Sequence, residues 1–196
     1  MIPDTHNAII ISSNLKARNV LSQALSNSPY KIILEGSSLE KVLSEMTSVM
    51  PDIIVLALES TDLSVLKHLQ IILQQFPLPI VIFSDDGRND VIAKAIDLGV
   101  SAYVVDGLDE RRVESILTTA IFRFKQYQKV QQQVDDLKVN LADRKIIDRA
   151  KGLIMSQKQC SEDEAYKLLR SSAMKQNVRL ATLSQNIIDT AALLAP

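Results

Sequence analysis

Short apolar runs of strand length alternate with segments of helical period over the first half of the chain. Five runs rich in Ile, Val and Leu are predicted to be strands, at residues 8–11, 31–34, 52–58, 79–83 and 102–105. The segments between them place apolar residues three and four positions apart, as amphipathic helices do. Strands that alternate with helices form a parallel sheet that is covered on both faces. The pattern therefore predicts a doubly wound α/β domain with a five-stranded parallel sheet.

Individual residues indicate the apolar face of one predicted helix and the end of another. One follows the second strand and carries Leu39, Val42, Leu43 and Met46. Another, over residues 91–98, ends at Gly99. Glycine is common directly after a helix because it adopts a left-handed backbone conformation without strain.

A long helix is predicted after the last strand, because neither Gly nor Pro occurs over residues 108–151. Its apolar residues follow in steps of three and four, which is the spacing of a coiled-coil seam. Its first turns cover the sheet, but beyond Tyr127 no sheet remains to be covered, so a partner helix must bury the seam. We expect a two-stranded homodimer over residues 123–143. Its interface is made of Phe124, Tyr127, Val130, Val134, Leu137 and Leu141.

Residues 144–196 are predicted to form a small bundle of three helices. The end of the long helix supplies the first of them through Ile146, Ile147, Ala150, Leu153 and Ile154. Ser161 and Glu164 have the spacing of a capping box, which opens a second helix that stops at Asn177. Its apolar face is predicted to consist of Ala165, Leu168, Leu169, Ala173 and Met174. Thr182 is the candidate cap of a final helix, which carries Leu180, Leu183, Ile187, Ile188, Ala191 and Leu194.

Composition and charge narrow the class of protein. The 196 residues are 46% hydrophobic and 23% charged, which suits a domain of ordinary size with a smaller one and excludes disordered and collagen-like chains. The single cysteine, the absence of a basic segment followed by an apolar one at the N-terminus, and the absence of an apolar run of about 20 residues favour a soluble cytoplasmic protein. Residues 1–141 carry 13 basic and 17 acidic side chains, whereas residues 142–196 carry 9 and 6. A small basic domain on an acidic body is typical of a polyanion partner.

The α/β part resembles the receiver domain of bacterial response regulators, which has a flavodoxin-like fold, over residues 8–125. The resemblance implies acidic residues after the first strand, a phosphoacceptor aspartate at the end of the third, a Ser or Thr at the end of the fourth and a lysine at the end of the fifth. In this chain those positions hold Ser12 and Ser13, Ala57, Ser84, and Asp106. Alanine has no nucleophile, and an aspartate in place of the lysine reverses the charge that would neutralise a phosphoryl group. We therefore expect a degenerate phosphoacceptor site and no aspartyl phosphorylation.

Acidic residues follow the ends of several strands, at Glu59, Asp62, Asp85, Asp86 and Asp106. Ligands do bind at that edge of open α/β sheets. Acidic residues in loops are most often solvated, however, so we predict neither a metal site nor a cofactor.

The C-terminal segment resembles the ANTAR domain of the AmiR/NasT family of transcription antiterminators. The resemblance rests on residues 147–155, on Ser161 through Tyr166, on Leu168 to Arg170, and on Ala173 and Met174. Residues 99–107 also look like the corresponding stretch of the nitrate-assimilation members of that family. The expected domains are a pseudo-receiver at residues 1–122, a coiled-coil dimerisation helix at 123–143 and an ANTAR RNA-binding domain at 144–196.

This resemblance implies binding to two adjacent stem-loops of a leader mRNA, so that an overlapping terminator hairpin cannot form. Folded RNA is recognised through phosphate contacts and stacking on unpaired bases. The candidate RNA-binding residues are Arg144, Arg149, Lys151, Gly152, Tyr166, Lys167, Arg170, Lys175 and Arg179. Tyr166 suits stacking on a base and core packing equally well. Gly152 within a helix costs about 1 kcal/mol relative to Ala, which suggests close approach of another helix or of RNA backbone.

Because the phosphoryl switch is missing, the resemblance implies control by a sensor protein of the substrate-binding-protein type, NasS-like, that responds to nitrate or nitrite. Two alternatives remain open: a DNA-binding response regulator and a purely protein-binding adaptor. The acidic start of the second bundle helix, at Glu162, Asp163 and Glu164, disfavours DNA binding because it would repel phosphate. An enzyme is disfavoured because the chain has no phosphate-binding glycine fingerprint, nucleophile elbow or zinc motif.

Overall fold

The computed structural model describes residues 5–40, 42 and 50–194, which fall into two units, Met1–Gln128 and Lys129–Pro196. The strands are β1 (His6–Ile11), β2 (Tyr30–Gly36), β3 (Ile53–Leu58), β4 (Ile80–Ser84) and β5 (Ala102–Val105). The helices are α1 (Leu15–Leu25), α2 (Leu63–Gln75), α3 (Asn89–Asp97), α4 (Glu110–Lys158), α5 (Glu162–Gln176) and α6 (Leu180–Leu194). None of the helices in this described part is both long and apolar enough to cross a bilayer.

The five strands form one parallel sheet in the order β2-β1-β3-β4-β5, which is the flavodoxin-like order. The predicted fold of the first unit is confirmed. Ile54 in the middle of the sheet pairs with Ile9 on one side and Ile80 on the other. Successive side chains of a strand point to opposite faces, so Ile54 and Val55 belong to two different hydrophobic clusters. A sheet that is buried on both faces needs strands that are apolar throughout, and this is why the strand pattern is so clear in the sequence.

Helix α3 ends as predicted, since Gly99 has φ +105° and follows its last turn directly. In the segment after β2, Leu39 and Val42 are buried as expected. The predicted face residues Leu43 and Met46 lie outside the described residues.

The predicted long helix is confirmed as α4, which runs without interruption for 49 residues. Its first turns bury Val113, Leu117 and Ala120 in the cluster on one face of the sheet. Farther along, Phe124 is half-buried beside a cavity near Pro77 and Pro79. The remaining residues of the predicted seam are exposed in the single chain: Tyr127, Val130, Val134, Leu137 and Leu141.

The second unit contains the predicted three-helix core. It is formed by Ala150 of α4, Leu169 and Ala173 of α5, and Leu183 and Ile188 of α6. Helix α5 opens with the predicted capping box of Ser161 and Glu164 and ends at Asn177, which has φ +53°.

Two details of this unit differ from the prediction. Leu168 and Met174 are exposed, so the buried stripe of α5 is narrower than its apolar pattern. Thr182 is not a cap, because α6 begins two residues earlier, at Leu180, and Thr182 lies within its first turn. An apolar pattern shows which residues are able to pack, whereas the angle between neighbouring helices decides which of them do.

Substitution of two adjacent leucines tests whether burial, rather than apolar character alone, determines how much a leucine stabilises the second unit. Leu169→Ala is expected to lower the free energy of unfolding of the second unit by about 2–5 kcal/mol, because this side chain is almost fully buried among three helices. Leu168→Ala, at a side chain that is 42% exposed, is the matched control and is expected to change it by about 0.5 kcal/mol or less. Urea unfolding followed through the amide resonances of α5 measures both. Equal losses for the two variants would contradict the assignment of the core.

Candidate functional site

The carboxyl edge of the sheet contains the residues that stand at the receiver-like positions. Ser12 is fully buried, and its hydroxyl donates to the carbonyl oxygen of Ala57 at 2.7 Å. Arg18 Nη2 donates to the carbonyl oxygen of Ser12 at 2.5 Å. Ser13 is exposed. The first strand therefore ends in neutral side chains, one of which is hydrogen-bonded to backbone, and it offers no carboxylate for a hard cation.

Ser84, the one residue that fits the receiver pattern, is held by a network of hydrogen bonds. Its Oγ accepts from the backbone N–H of Asp86 at 3.2 Å and from the hydroxyl of Thr61 at 3.4 Å. The Thr61 and Tyr103 hydroxyls lie 3.0 Å apart, and the Tyr103 hydroxyl donates to the carbonyl oxygen of Asp86 at 2.9 Å. These bonds join β4, β5 and the segment after β3 through side chains and fix the loop that follows β4.

The acidic residues at this edge are mostly engaged in local structure. Asp62 caps α2 by accepting from the backbone N–H of Val65, and Glu59 accepts from the side-chain amide of Asn14 at 3.3 Å. The Arg88 guanidinium donates to Asp86 and holds the pKa of that carboxyl well below its usual range. Within residues 5–40, 42 and 50–194, no three His, Cys, Asp or Glu side chains are grouped so as to hold a metal ion.

Asp106 stands where the family resemblance implies a lysine. Its backbone has φ +48°, a conformation that Asp tolerates better than most residues, and its N–H donates to the carbonyl oxygen of Ser84 at 3.1 Å. A cavity of about 60 Å³ lies between Ala57, Ser84 and Gly107, far below the roughly 300 Å³ at which ligand pockets begin. The edge thus has neither a nucleophile at Ala57 nor a lysine at Asp106.

In the second unit, most of the candidate RNA-binding residues are exposed. This holds for Arg144, Arg149, Gly152, Tyr166, Lys167, Arg170, Lys175 and Arg179. Along α4, Lys145, Arg149, Gly152 and Ser156 follow in steps of four, three and four, so they share one exposed face of the helix. We call these four residues the α4 face.

Lys151 differs from the other cations because its charge is used within the domain. Its side chain is only 14% exposed, and Nζ lies 2.6 Å from both Asp148 Oδ1 and Glu162 Oε1. These two hydrogen-bonded carboxylates raise the pKa of Lys151, and the same contact lowers the pKa of Asp148. The ion pair with Glu162 joins α4 to the first turn of α5.

Gly152 has open space around it. A Cβ built at this position meets nothing within 4 Å among the described atoms, so no neighbouring helix accounts for the glycine. Of the two explanations that the sequence suggested, the approach of another helix is therefore excluded for the described helices of the same chain.

Tyr166 lies outside the core cluster of the unit and is 40% exposed. It lines a groove of about 500 Å³ between α5 and the start of α6, together with Arg170 and Arg179. Lys167 and Lys175 do not line this groove.

The acidic start of α5 is explained by capping. The Glu164 carboxylate accepts from the backbone N–H of Ser161 at 2.9 Å, and Ser161 Oγ accepts in return from the N–H of Glu164. The hydrogen bonds from Ser161 lower the pKa of Glu164. Negative charge at this end also complements the helix dipole.

Sequence reasoning missed four residues that shape these sites. Thr61 and Tyr103 are brought together by the sheet order, and no local pattern marks them. Met174 and Val178 line the groove, but Met174 was predicted to lie on the buried face of the second bundle helix, and Val178 was not singled out. The turn signal at Asn177 was the one available indication that the chain reverses beside α5.

Comparison with known proteins identifies the second unit. The family model described as "ANTAR domain" matches residues 135–188, so the chain contains an ANTAR domain. The Transcriptional regulatory protein PdtaR of Mycobacterium tuberculosis is 21% identical over 182 residues, which cover 93% of this chain and 89% of that protein. The Aliphatic amidase regulator of Pseudomonas aeruginosa is 26% identical over 98 residues, half of each chain.

Solved structures match the first unit in fold. The signal receiver domain of an HD domain-containing protein from Pseudomonas fluorescens aligns with a TM-score of 0.54 and 22% identity, over 62% of this chain and 98% of that one. A CheY-like receiver domain protein from Methanospirillum hungatei aligns with a TM-score of 0.55 and 10% identity, over 62% and 98%. The first unit has the receiver fold.

The chain is expected to take up no phosphoryl group from radiolabelled acetyl phosphate and Mg²⁺, because it lacks a nucleophile at Ala57. The variant Ala57→Asp is also expected to remain unlabelled, because Ser12 and Ser13 supply no carboxylate for the cation and Asp106 opposes the phosphoryl charge. A receiver domain with a complete site serves as the positive control. Hydroxylamine-labile label on either form of this chain would contradict the assignment of a degenerate site.

Proposed function

We propose that this ANTAR-domain protein with a receiver-type first unit is an RNA-binding transcription antiterminator. It binds two adjacent stem-loops in leader mRNA and prevents the overlapping terminator from forming. The observation that carries the proposal is that the ANTAR match, residues 135–188, includes Arg149, Arg170 and Arg179, which are exposed and form no ion pair within the described residues.

The arginines support phosphate binding because their charge is not engaged inside the protein. Arg149, Arg170 and Arg179 donate no side-chain hydrogen bond and form no ion pair within the described residues. Lys151 is engaged by two carboxylates and is assigned to holding α4 against α5. RNA contact is proposed for the exposed candidates, with Lys151 stabilising the surface that they form.

The α4 face is proposed to approach the RNA backbone. Arg149 provides a guanidinium one turn before Gly152, where the absence of a side chain leaves the helix backbone accessible. A glycine in an exposed helix costs about 1 kcal/mol relative to Ala, and no neighbour inside the described chain offsets that cost. The proposed function of the glycine is to allow close approach of a sugar-phosphate backbone.

The protein is proposed to act as a homodimer through the exposed seam of α4. Tyr127 and Leu137 are each 67% exposed, and burial of a large apolar side chain stabilises by about 1.5–3 kcal/mol. Two linked ANTAR domains bind two linked hairpins with a high effective concentration, so a dimer suits a paired target.

Control is proposed to come from a cytoplasmic sensor protein of the substrate-binding-protein type, because the sheet edge lacks the residues needed for aspartyl phosphorylation. The likeness of residues 99–107 to nitrate-assimilation antiterminators makes nitrate and nitrite assimilation genes the proposed targets. The sensor would act by sequestration, binding this chain and RNA in mutually exclusive fashion.

RNA binding is tested by gel shift of the full chain. The probe is a pool of two adjacent stem-loops with randomised loops, and single stem-loops and duplex DNA are the comparisons. We expect selective retention of the paired stem-loops, with affinity that falls steeply as salt is raised. Arg149→Glu is expected to weaken binding and to reduce the salt slope by about 1 for each phosphate that the variant no longer neutralises. Lys67→Glu, an equal charge change at an exposed position of α2, is the matched control.

The comparison probes and the variant distinguish the proposed function from its alternatives. Equal retention of duplex DNA would favour a DNA-binding regulator, and retention of no nucleic acid would leave the protein-binding adaptor. An Arg149→Glu variant that binds RNA like the wild type would remove the α4 face from the interface.

Dimerisation is tested by sedimentation equilibrium. Leu137→Lys is expected to convert a dimer to a monomer, because it places a charge in the centre of the seam. Val139→Lys is the matched control: this residue is 53% exposed on the same helix but lies off the seam. Loss of the dimer in both variants, or in neither, would contradict the proposed interface.

A further inference from the structure

The groove between α5 and the start of α6 is lined by aromatic, basic and apolar side chains. Tyr166, Arg170 and Met174 form the wall that α5 provides, and Arg179 lies across the turn that follows. Ala173, which is almost fully buried, and Leu180 form an apolar floor. The volume of about 500 Å³ falls within the range of small-ligand sites.

Backbone hydrogen bonds hold the groove in shape. Asn177 adopts a left-handed conformation with φ +53°, and its N–H donates to the carbonyl oxygen of Met174 at 3.2 Å. The N–H of Val178 donates to the carbonyl oxygen of Ala173 at 3.1 Å. The turn that brings Arg179 back beside α5 is thus fixed without a ligand, which lowers the entropic cost of binding.

Charge around the groove has one sign. No acidic residue occurs between Glu164 and Asp189, whereas this stretch contains Lys167, Arg170, Lys175 and Arg179. The two arginines that line the groove form no ion pair or side-chain hydrogen bond within the part of the chain that the structure describes. The groove therefore suits an occupant that carries negative charge beside a flat apolar group.

We propose that this groove receives one unpaired base of an RNA hairpin loop, stacked on Tyr166, with the flanking phosphates paired to Arg170 and Arg179. The inference rests on the proposed function and names the part of the RNA that this site recognises. A base supplies the flat π-face that an exposed tyrosine ring stacks on, and its own backbone supplies the phosphates. A basic apolar groove suits an acidic peptide less well, because the exposed ring then has no planar partner.

The binding experiment uses the full chain and the paired stem-loop RNA that is enriched from the randomised pool. Each loop position is replaced in turn by 2-aminopurine, whose fluorescence is quenched by stacking, or by an abasic residue. We expect one position whose fluorescence falls on binding and whose abasic form binds about tenfold more weakly or worse, as loss of one base stack does.

Variants of Tyr166 connect that position to the groove. Tyr166→Leu is expected to weaken binding of the intact RNA about tenfold and to abolish the quenching, with the salt slope unchanged because no phosphate contact is removed. Tyr166→Phe retains the ring and is expected to restore both. Leu168→Ala is the matched control, since Leu168 is exposed to the same degree on the same helix but does not line the groove. Circular dichroism melts verify that each variant is folded.

The outcomes separate this inference from the proposed function. If the wild type binds paired stem-loops but every abasic form and Tyr166→Leu bind equally well, the base-stacking groove is overturned and antitermination stands. If the wild type retains no RNA at all, both fall. Binding of an acidic peptide that depends on Tyr166, with no dependence of RNA affinity on it, would assign the groove to a protein partner instead.

Discussion

One continuous helix contributes to a hydrophobic core in each of the two units, and this constraint shapes the rest of the chain. Because α4 keeps a single hydrogen-bond ladder over 49 residues, its apolar residues must suit different partners along its length. Its first turns bury Val113 and Leu117 against the sheet, and its last turns bury Ala150 among three helices. A helix of this kind is stable mainly through packing of its apolar faces rather than through propensity. The apolar residues in between, such as Tyr127 and Leu137, remain exposed in the single chain.

The sheet keeps the receiver fold although the residues for receiver phosphoryl chemistry are absent from its carboxyl edge. The core lies in the middle of the strands, where Ile9, Ile54 and Ile80 pair side by side, whereas the receiver-type site lies at the strand ends. Ala57 supplies no nucleophile and is itself part of the buried cluster on one face of the sheet, and Asp106 supplies no cation. Hydrogen bonds of Ser12 with backbone, and of Ser84 with the following loop, satisfy the polar groups at the edge. The unit thus keeps the receiver fold without a nucleophile at Ala57 or a lysine at Asp106.

In the ANTAR unit, some basic side chains are paired with carboxylates inside the protein and others form no ion pair within the described residues. Lys151 lies between two carboxylates and joins two helices, while Arg170 and Arg179 line a groove in a stretch with no acidic residue. An ion pair between helices uses its charge inside the fold, and an unpaired guanidinium beside an aromatic ring keeps its charge for a ligand. In the acidic first turn of α5, the Glu164 carboxylate is likewise used inside the protein, because it accepts from the backbone N–H of Ser161.

The sequence alone determined the elements whose signals are local. Apolar strand runs, a capping box at Ser161 and the absence of helix breakers before Gly152 predicted the parallel sheet, the long helix and the three-helix bundle, because hydrophobic periodicity and capping act between near neighbours. The absence of a nucleophile at the phosphoacceptor position was also readable, since Ala57 lacks the necessary atoms in any fold. Only the tertiary structure decided which basic residues are free, that Gly152 faces open space, and that Tyr166 lines a groove rather than the core. These properties depend on contacts between residues distant in sequence and on the angles at which helices pack, and a one-dimensional pattern contains neither.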